Sequence, residues 1–161
     1  LFGPHPKDIY NLVIPSLQKR KMAHTAEDLT AYVMQEISRI PFRSFKNVSS
    51  DVRGGFVLNF PLKLEVDLAE VERNVQDLLN QDLDISYYDE DHIQIGDSIV
   101  ISCTGPRIHV RNTSEIKHFK LIKEFKYDPS SGRYAMVGTI IKRKDDTEDF
   151  NEIHREQDDD N

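Results

Sequence analysis

The clearest pattern in the chain is an alternation of apolar and polar residues that changes into a helical repeat. Every even position from Phe56 to Val66 is apolar, and polar residues occupy most of the odd positions. Successive side chains of a strand point to opposite faces, so this pattern predicts one strand whose buried face includes Leu62. Apolar residues then recur at helical spacing from Leu68 to Leu79, which predicts a helix up to residue 81, and Asp67 before them is a predicted N-cap.

Two helices are predicted before this strand–helix unit. The first follows Pro6 and carries an apolar stripe that Pro15 interrupts. Because a proline inside a helix removes a backbone donor, we expect the helix to end just before Pro15 or to kink there. Thr25 is the predicted N-cap of the second helix, which Pro41 stops. The two helices are expected to pack as a pair.

The pattern changes after residue 81 to short strands separated by turns. Alternating segments begin at Leu83, Ile93 and Ile99, and a last hairpin spans 119–142. Residues 43–55 are interpreted as a connection. Sequential short strands favour antiparallel pairing. The predicted fold is therefore α+β: two N-terminal helices, the strand–helix unit, and a mostly antiparallel sheet of five to seven strands curled around the helix of that unit.

Charge divides the chain into a near-neutral part and an acidic end. The net charge is −7, and residues 145–161 hold nine carboxylates against Arg155 alone. We predict a single α+β domain in residues 1–144, with the helix pair in 6–40 and the β-rich part in 54–144. Residues 145–161 are predicted to be a flexible acidic tail outside the core.

Two further features bear on location. Cys103 is the single cysteine, which excludes an internal disulfide and suits a reducing compartment. No apolar run approaches membrane-spanning length, and no signal-peptide pattern opens the chain, which begins at Leu1. We expect an intracellular fragment of a larger protein, nuclear or cytoplasmic, with no membrane partner.

Motifs for catalysis or metal binding are weak. The carboxylates between Asp82 and Asp97 do not fit a calcium-binding loop, and Glu115-Ile116-Lys117 has no second acidic motif to complete a nuclease site. The six histidines are scattered without zinc-ligand spacing to a cysteine, and Cys103 is expected to be a buried, unreactive thiol. We predict no enzyme activity, no catalytic residue, no metal ligand and no cofactor.

Basic residues form the candidate binding site. Arg107, His109 and Arg111 alternate with Ile108 and Val110, so on a strand all three would project from one exposed face. Such a face could hold phosphates or carboxylates, or it could be an ordinary solvated strand face. The other members of the predicted basic site lie in the first 46 residues: Lys19, Arg20, Lys21, Arg43 and Lys46.

Residues 7–40 resemble the opening two helices of winged-helix or linker-histone-type modules, through Lys7-Asp8-Ile9-Tyr10 and Thr25-Ala26-Glu27-Asp28-Leu29. The resemblance implies a DNA- or protein-binding unit. No third helix with basic residues follows at the place where such modules contact DNA, so the sequence assigns no family.

Together these features favour a non-catalytic interaction domain, an adaptor or scaffold within a larger protein or assembly, that binds a protein partner. The alternative is a nucleic-acid-binding domain that uses the basic strand face and the loop at residues 19–21. The sequence specifies neither the partner nor the oligomeric state.

Overall fold

The computed structural model describes residues 6–40, 46–51, 54–103 and 108–141, with side chains described in 17–40, 54–103 and 108–141. These residues form an α+β fold of two α-helices and two antiparallel sheets. In chain order the elements are α1 (Pro6–Ser38), β1 (Lys46–Asp51), β2 (Gly55–Phe60), α2 (Leu68–Leu79), β3 (Ile85–Asp89), β4 (His92–Ile95), β5 (Ile99–Ser102), a 3-10 turn (Thr113–Glu115), β6 (Lys120–Leu121), β7 (Lys126–Asp128) and β8 (Arg133–Thr139).

The N-terminal region is one continuous helix, so the predicted helix pair is wrong. α1 runs through Pro15 without ending, and Thr25 lies inside it rather than at an N-cap. One missing backbone donor does not stop a helix that packs against the rest of the fold, and α1 contacts β1, β2 and α2. Within residues 23–34 every residue except His24 and Tyr32 is buried. This stretch of α1 is therefore enclosed by the rest of the fold.

The larger sheet packs against both helices, through β1 and β2 on α1 and through β6 on α2. Its strands follow the order β1-β2-β8-β6, and β7 also pairs with β8. The even residues of β2, Phe56, Leu58 and Phe60, are buried, as the alternation predicts. The predicted final hairpin is confirmed, since β7 pairs with β8 across a turn that contains Gly132 at φ +70°. Strand β1 occupies a segment that was predicted to be only a connection.

Leu62 does not lie on the buried face. β2 ends at Phe60, the chain bends at Pro61 and Leu62, and the side chain of Leu62 is 56% exposed. Proline cannot donate to a sheet ladder, and the bend breaks the two-residue period of the strand. Leu64 returns to the core. The prediction that Leu62 is a core residue is wrong.

The smaller sheet, β3-β4-β5, is an antiparallel meander, as expected for sequential short strands. It buries Ile93, Ile95 and Ile101. The described strands thus form two sheets, and the predicted single sheet curled around α2 is not what the structure has. α2 itself begins as predicted, with the side chain of Asp67 accepting a hydrogen bond from the Ala69 N–H.

No helix in the described part of the chain is both long enough and apolar enough to cross a membrane. The predicted acidic tail, residues 145–161, lies outside the described residues.

The contact between β2 and β8 supplies a test of the packing. Gly138 pairs with Phe56, and a Cβ atom added at Gly138 would lie 2.2 Å from the Phe56 ring. That buried ring stacks on Phe119 and has little room to move. We expect Gly138→Ala to lower the free energy of unfolding by about 1–3 kcal/mol in urea denaturation, because overpacking strains a filled core.

The matched glycine control is Gly132→Asn. Gly132 has no atom within 4 Å of an added Cβ, and asparagine tolerates a positive φ. We expect its stability to stay within about 0.5 kcal/mol of the parent. Equal stabilities of Gly138→Ala and the parent would contradict the close packing of β2 on β8.

Candidate functional site

Two side chains of α1 begin the candidate site. His24 and Asp28 are one helical turn apart, so they share a face of α1. His24 Nε2 lies 3.5 Å from Asp28 Oδ2, and both side chains are largely shielded from solvent. This face of α1 points into the protein, toward the segment that follows β5.

That segment contributes Cys103 and His109. Cys103 Sγ lies 3.3 Å from His109 Nε2 and 3.9 Å from His24 Nε2. His109 Nε2 is in turn 3.5 Å from Asp28 Oδ2. The two imidazole rings meet edge to face with their centroids 4.4 Å apart. One atom from each of the four residues therefore lies within 4.8 Å of the other three. We call these residues the four-residue cluster.

The orientation of the His109 ring is set by Thr25. Thr25 Oγ1 lies 3.1 Å from His109 Nδ1 and accepts a hydrogen bond from the Val110 N–H at 3.2 Å. All of these groups are buried. A proton on Nδ1 would be donated to Thr25, which leaves the lone pair of Nε2 directed at the cluster.

Burial dominates the electrostatics of the cluster. Burial raises the pKa of Asp28 above its ordinary value, while the neighbouring His24 and Cys103 act in the opposite direction. Asp28 Oδ2 has no hydrogen-bond partner among the described residues, since the two imidazole nitrogens at 3.5 Å are too distant for a normal hydrogen bond. A buried carboxylate oxygen in this position needs a proton or a cation beside it.

The adjacent Glu27 is a second buried carboxyl, but it belongs to a different environment. Burial first, and the nearby Asp28 second, raise the pKa of Glu27 to about 9, so this side chain is neutral at pH 7. It is not a member of the four-residue cluster.

The cluster unites two imidazole nitrogens, a thiol sulfur and a carboxylate oxygen. These are the donor types that bind transition metals in proteins. Among the described residues this is the group of histidine, cysteine and acidic side chains that could hold a metal ion.

A pocket of about 410 Å³ lies beside the cluster. His109 belongs to the cluster and also lines this pocket. We call this pocket the α1–β3 groove. Apolar side chains form much of its lining, Lys21 and Arg111 are its cations, and Tyr87 of β3 is 55% exposed at its edge. The apolar residues that line it are Leu17, Ile85, Ile108 and Val110.

Glu115 connects the two walls of the groove. Its Oε1 accepts a hydrogen bond from Gln18 of α1, and its Oε2 accepts from the Arg111 N–H. Burial opposes ionisation of Glu115, but these hydrogen bonds, with Lys21 nearby, hold its pKa below the ordinary value. An ionised Glu115 thereby ties the backbone at Arg111 to α1.

Two members of the predicted basic site line the same groove. Lys21 and Arg111 meet at the α1–β3 groove. His109 does not join an exposed stripe with Arg111, because it is buried and residues 108–110 are not a strand. That prediction is wrong: the chain turns these residues toward α1, where the His109 ring packs in the cluster.

The remaining members of the predicted basic site are placed as follows. Lys19 and Arg20 are exposed on α1. Lys46 lies in β1, and its side chain is outside the described set. Arg43 and Arg107 are outside the described residues.

Sequence reasoning missed the four-residue cluster for a specific reason. Thr25 was predicted to begin a helix, which left His24 outside it and hid the one-turn spacing between His24 and Asp28. Cys103 is 79 residues from His24, so no local spacing links them. The available signal was the pair of histidine and aspartate four residues apart on one continuous helix.

The fold and the cluster define an α+β domain with a buried candidate metal centre. Compared with known families and curated proteins, the chain matches no family model and no curated protein sequence.

Proposed function

We propose that this protein is a non-catalytic intracellular interaction domain, an adaptor or scaffold, that binds an acidic segment of a protein partner in the α1–β3 groove. The observation that carries the proposal is the convergence of Lys21 and Arg111, distant in the sequence, on one concave apolar surface. The single cysteine, which forms no disulfide, supports an intracellular location.

The chemistry of the groove favours a peptide that carries both carboxylates and an apolar side chain. A guanidinium can hold a carboxylate with two parallel hydrogen bonds, and a lysine adds a mobile positive charge. The apolar lining, with Tyr87 at the edge, gives an aliphatic or aromatic side chain a surface to bury against. The groove thus combines apolar lining residues with two cations.

A nucleic acid fits this surface less well than an acidic peptide does. Of the three basic side chains predicted to share an exposed face, His109 is buried in the interior. Strand β3, which carries Tyr87, ends at the acidic turn of Asp89, Glu90 and Asp91, all exposed. Those carboxylates would repel a phosphate backbone that followed the strand.

The non-catalytic part of the proposal rests on the sequence, in which we find no nucleophile elbow, P-loop or dinucleotide-binding glycine pattern. The four-residue cluster is a separate feature, with Cys103 and Asp28 both at Nε2 of His109 and Thr25 at Nδ1.

Charge reversal in the groove tests the proposal. The probe is a labelled synthetic peptide with the sequence of residues 145–161, which is acidic and contains Phe150 and Ile153. We expect Lys21→Glu combined with Arg111→Glu to weaken its binding to the full chain by on the order of tenfold in fluorescence anisotropy, because two attractive charges become repulsive.

The matched control reverses one exposed arginine and one exposed lysine outside the groove, Arg73→Glu with Lys126→Glu. It should bind the peptide as the parent does, and all variants should melt alike because surface changes cost about 0.5 kcal/mol or less. Equal losses in both double variants would show non-specific attraction. Binding of a labelled single-stranded DNA in preference to the peptide, with steep salt dependence, would support the nucleic-acid alternative instead.

A further inference from the structure

We propose that His24, Asp28, Cys103 and His109 bind one Zn²⁺ ion in a closed, four-coordinate structural site. This inference goes beyond the proposed binding function and does not depend on it. Two ligands come from the middle of α1, and two come from the segment that follows β5. The ion would clamp these two parts of the chain together.

The distances between the donor atoms fit a tetrahedral zinc ion. Zinc bonds of about 2.0–2.2 Å to nitrogen or oxygen and about 2.3 Å to sulfur place neighbouring donors of a tetrahedron about 3.3–3.6 Å apart. In the structure, His109 Nε2 lies 3.3 Å from Cys103 Sγ and 3.5 Å from Asp28 Oδ2. His24 Nε2 lies 3.5 Å from Asp28 Oδ2 and 3.9 Å from Cys103 Sγ. These four distances lie within about 0.3 Å of the tetrahedral range, and all six distances among the donors are within 4.8 Å.

An independent observation points to a cation at the same place. Asp28 Oδ2 is buried, and no described residue gives it a hydrogen bond. Burying an acceptor without a partner is unfavourable, so native structures satisfy nearly all such atoms. A zinc ion bound between the four donors would contact this oxygen directly. A cation at this position would therefore satisfy the oxygen and join the four donors in one ligand set.

The surroundings of His109 match those of a metal ligand. Metal-binding histidines usually donate their second ring N–H to a fixed acceptor, which sets both the tautomer and the ring orientation. Thr25 Oγ1 occupies that position at His109 Nδ1, and the Val110 N–H holds the same oxygen. Thr25 is thus a positioning residue for the site.

The types of donor atom indicate which metal ion the site prefers, and their number indicates whether the ion is structural or catalytic. Two imidazoles and a thiolate suit zinc, whereas magnesium and calcium prefer oxygen ligands throughout. Catalytic zinc sites keep a coordination position open for water or substrate. Here four protein donors surround one point, and Asp28, Cys103 and His109 are all buried. A fully ligated, enclosed ion stabilises the fold and leaves no position for a substrate.

The first test measures metal binding by the intact full chain. We expect one zinc per chain by elemental analysis after extensive dialysis. Replacement by Co²⁺ should give the strong visible absorption of a tetrahedral site together with a thiolate-to-cobalt charge-transfer band. Because Cys103 is the single cysteine, bound zinc should also protect the chain against a thiol-reactive reagent. All three measurements use the parent protein, so they do not depend on a variant that folds.

Conservative variants then assign the ligands. Asp28→Asn and Cys103→Ser should each weaken zinc binding by about a hundredfold or more, since even outer partners of metal ligands are worth about ten- to a hundredfold. Thr25→Val should weaken it by about tenfold or more and leave the cobalt charge-transfer band in place. Cys103→Ser should remove that band.

Two matched controls should bind zinc as the parent does. Glu27→Gln changes the buried carboxyl next to Asp28, and His92→Gln changes an exposed histidine that is hydrogen-bonded to Asp89. Less than half an equivalent of zinc in the folded parent would overturn the proposal. So would a cobalt spectrum without the thiolate band, or affinities unaffected by Asp28→Asn and Cys103→Ser.

Discussion

Chelation of zinc should lower the thermal unfolding midpoint of the full chain by on the order of 10 °C. A ligand that binds only the folded state adds about 4 kcal/mol when its free concentration is about a thousand times Kd. For a domain of this size, each kcal/mol shifts Tm by about 2–4 °C. The physical reason for the coupling is that the ligands come from α1 and from the segment after β5, which meet only in the folded chain.

The experiment compares zinc-saturated and chelator-treated protein by circular dichroism and scanning calorimetry. Returning zinc in excess of the chelator should restore the higher Tm. Magnesium at the same concentration should not, because it disfavours sulfur and nitrogen ligands. Cys103→Ser should gain at most about a third of the parent's shift from the same zinc concentration, because its affinity is about a hundredth of the parent's or less. If the parent melts identically in both conditions, zinc does not stabilise this fold.

Leu58→Asp should abolish cooperative folding, whereas Leu62→Asp should leave the domain folded. Both leucines occupy even positions of the same alternating segment, yet Leu58 is 0% exposed and Leu62 is 56% exposed. A buried, unpaired carboxylate costs several kcal/mol, a large part of the about 5–15 kcal/mol that stabilises a typical domain. At an exposed position the same charge stays in water, and the cost is about 0.5 kcal/mol or less.

The two variants control for each other, since residue type and chemical change are identical. The measurements are a thermal melt followed by circular dichroism and the dispersion of the amide proton NMR spectrum. We expect a sharp melt and dispersed amides only for Leu62→Asp. The opposite ranking would mean that the alternation continues past Pro61 with Leu62 inside, in contradiction to the structure.

Local patterns predicted those elements whose form depends on nearby residues. The alternation before Pro61 gave the correct buried face of β2, and the helical repeat with Asp67 gave the start of α2. The turn around Gly132 gave the hairpin of β7 and β8. In each case the residues that carry the signal, whether an apolar repeat, a capping side chain or a turn residue, are close in sequence to the element that they specify.

The same local reasoning failed where packing outweighed a local signal. Pro15 marked a predicted end of the first helix, and Thr25 marked a predicted start of the second. α1 passes through both positions, because contacts with β1, β2 and α2 stabilise a helix that local propensity would divide. The division of the strands into two sheets likewise depends on which strands pair, and pairing is a property of the whole chain.

Composition and period determined, without any structure, that this chain is α+β with antiparallel strands. Only the tertiary structure decided what the polar residues do. His109 was predicted to lie on an exposed strand face, but it is buried beside Cys103 and two residues of α1. The tertiary structure also brought Lys21 to the same groove as Arg111. Ligand geometry requires atoms within a few ångströms, and residues tens of positions apart acquire that proximity only when the chain packs.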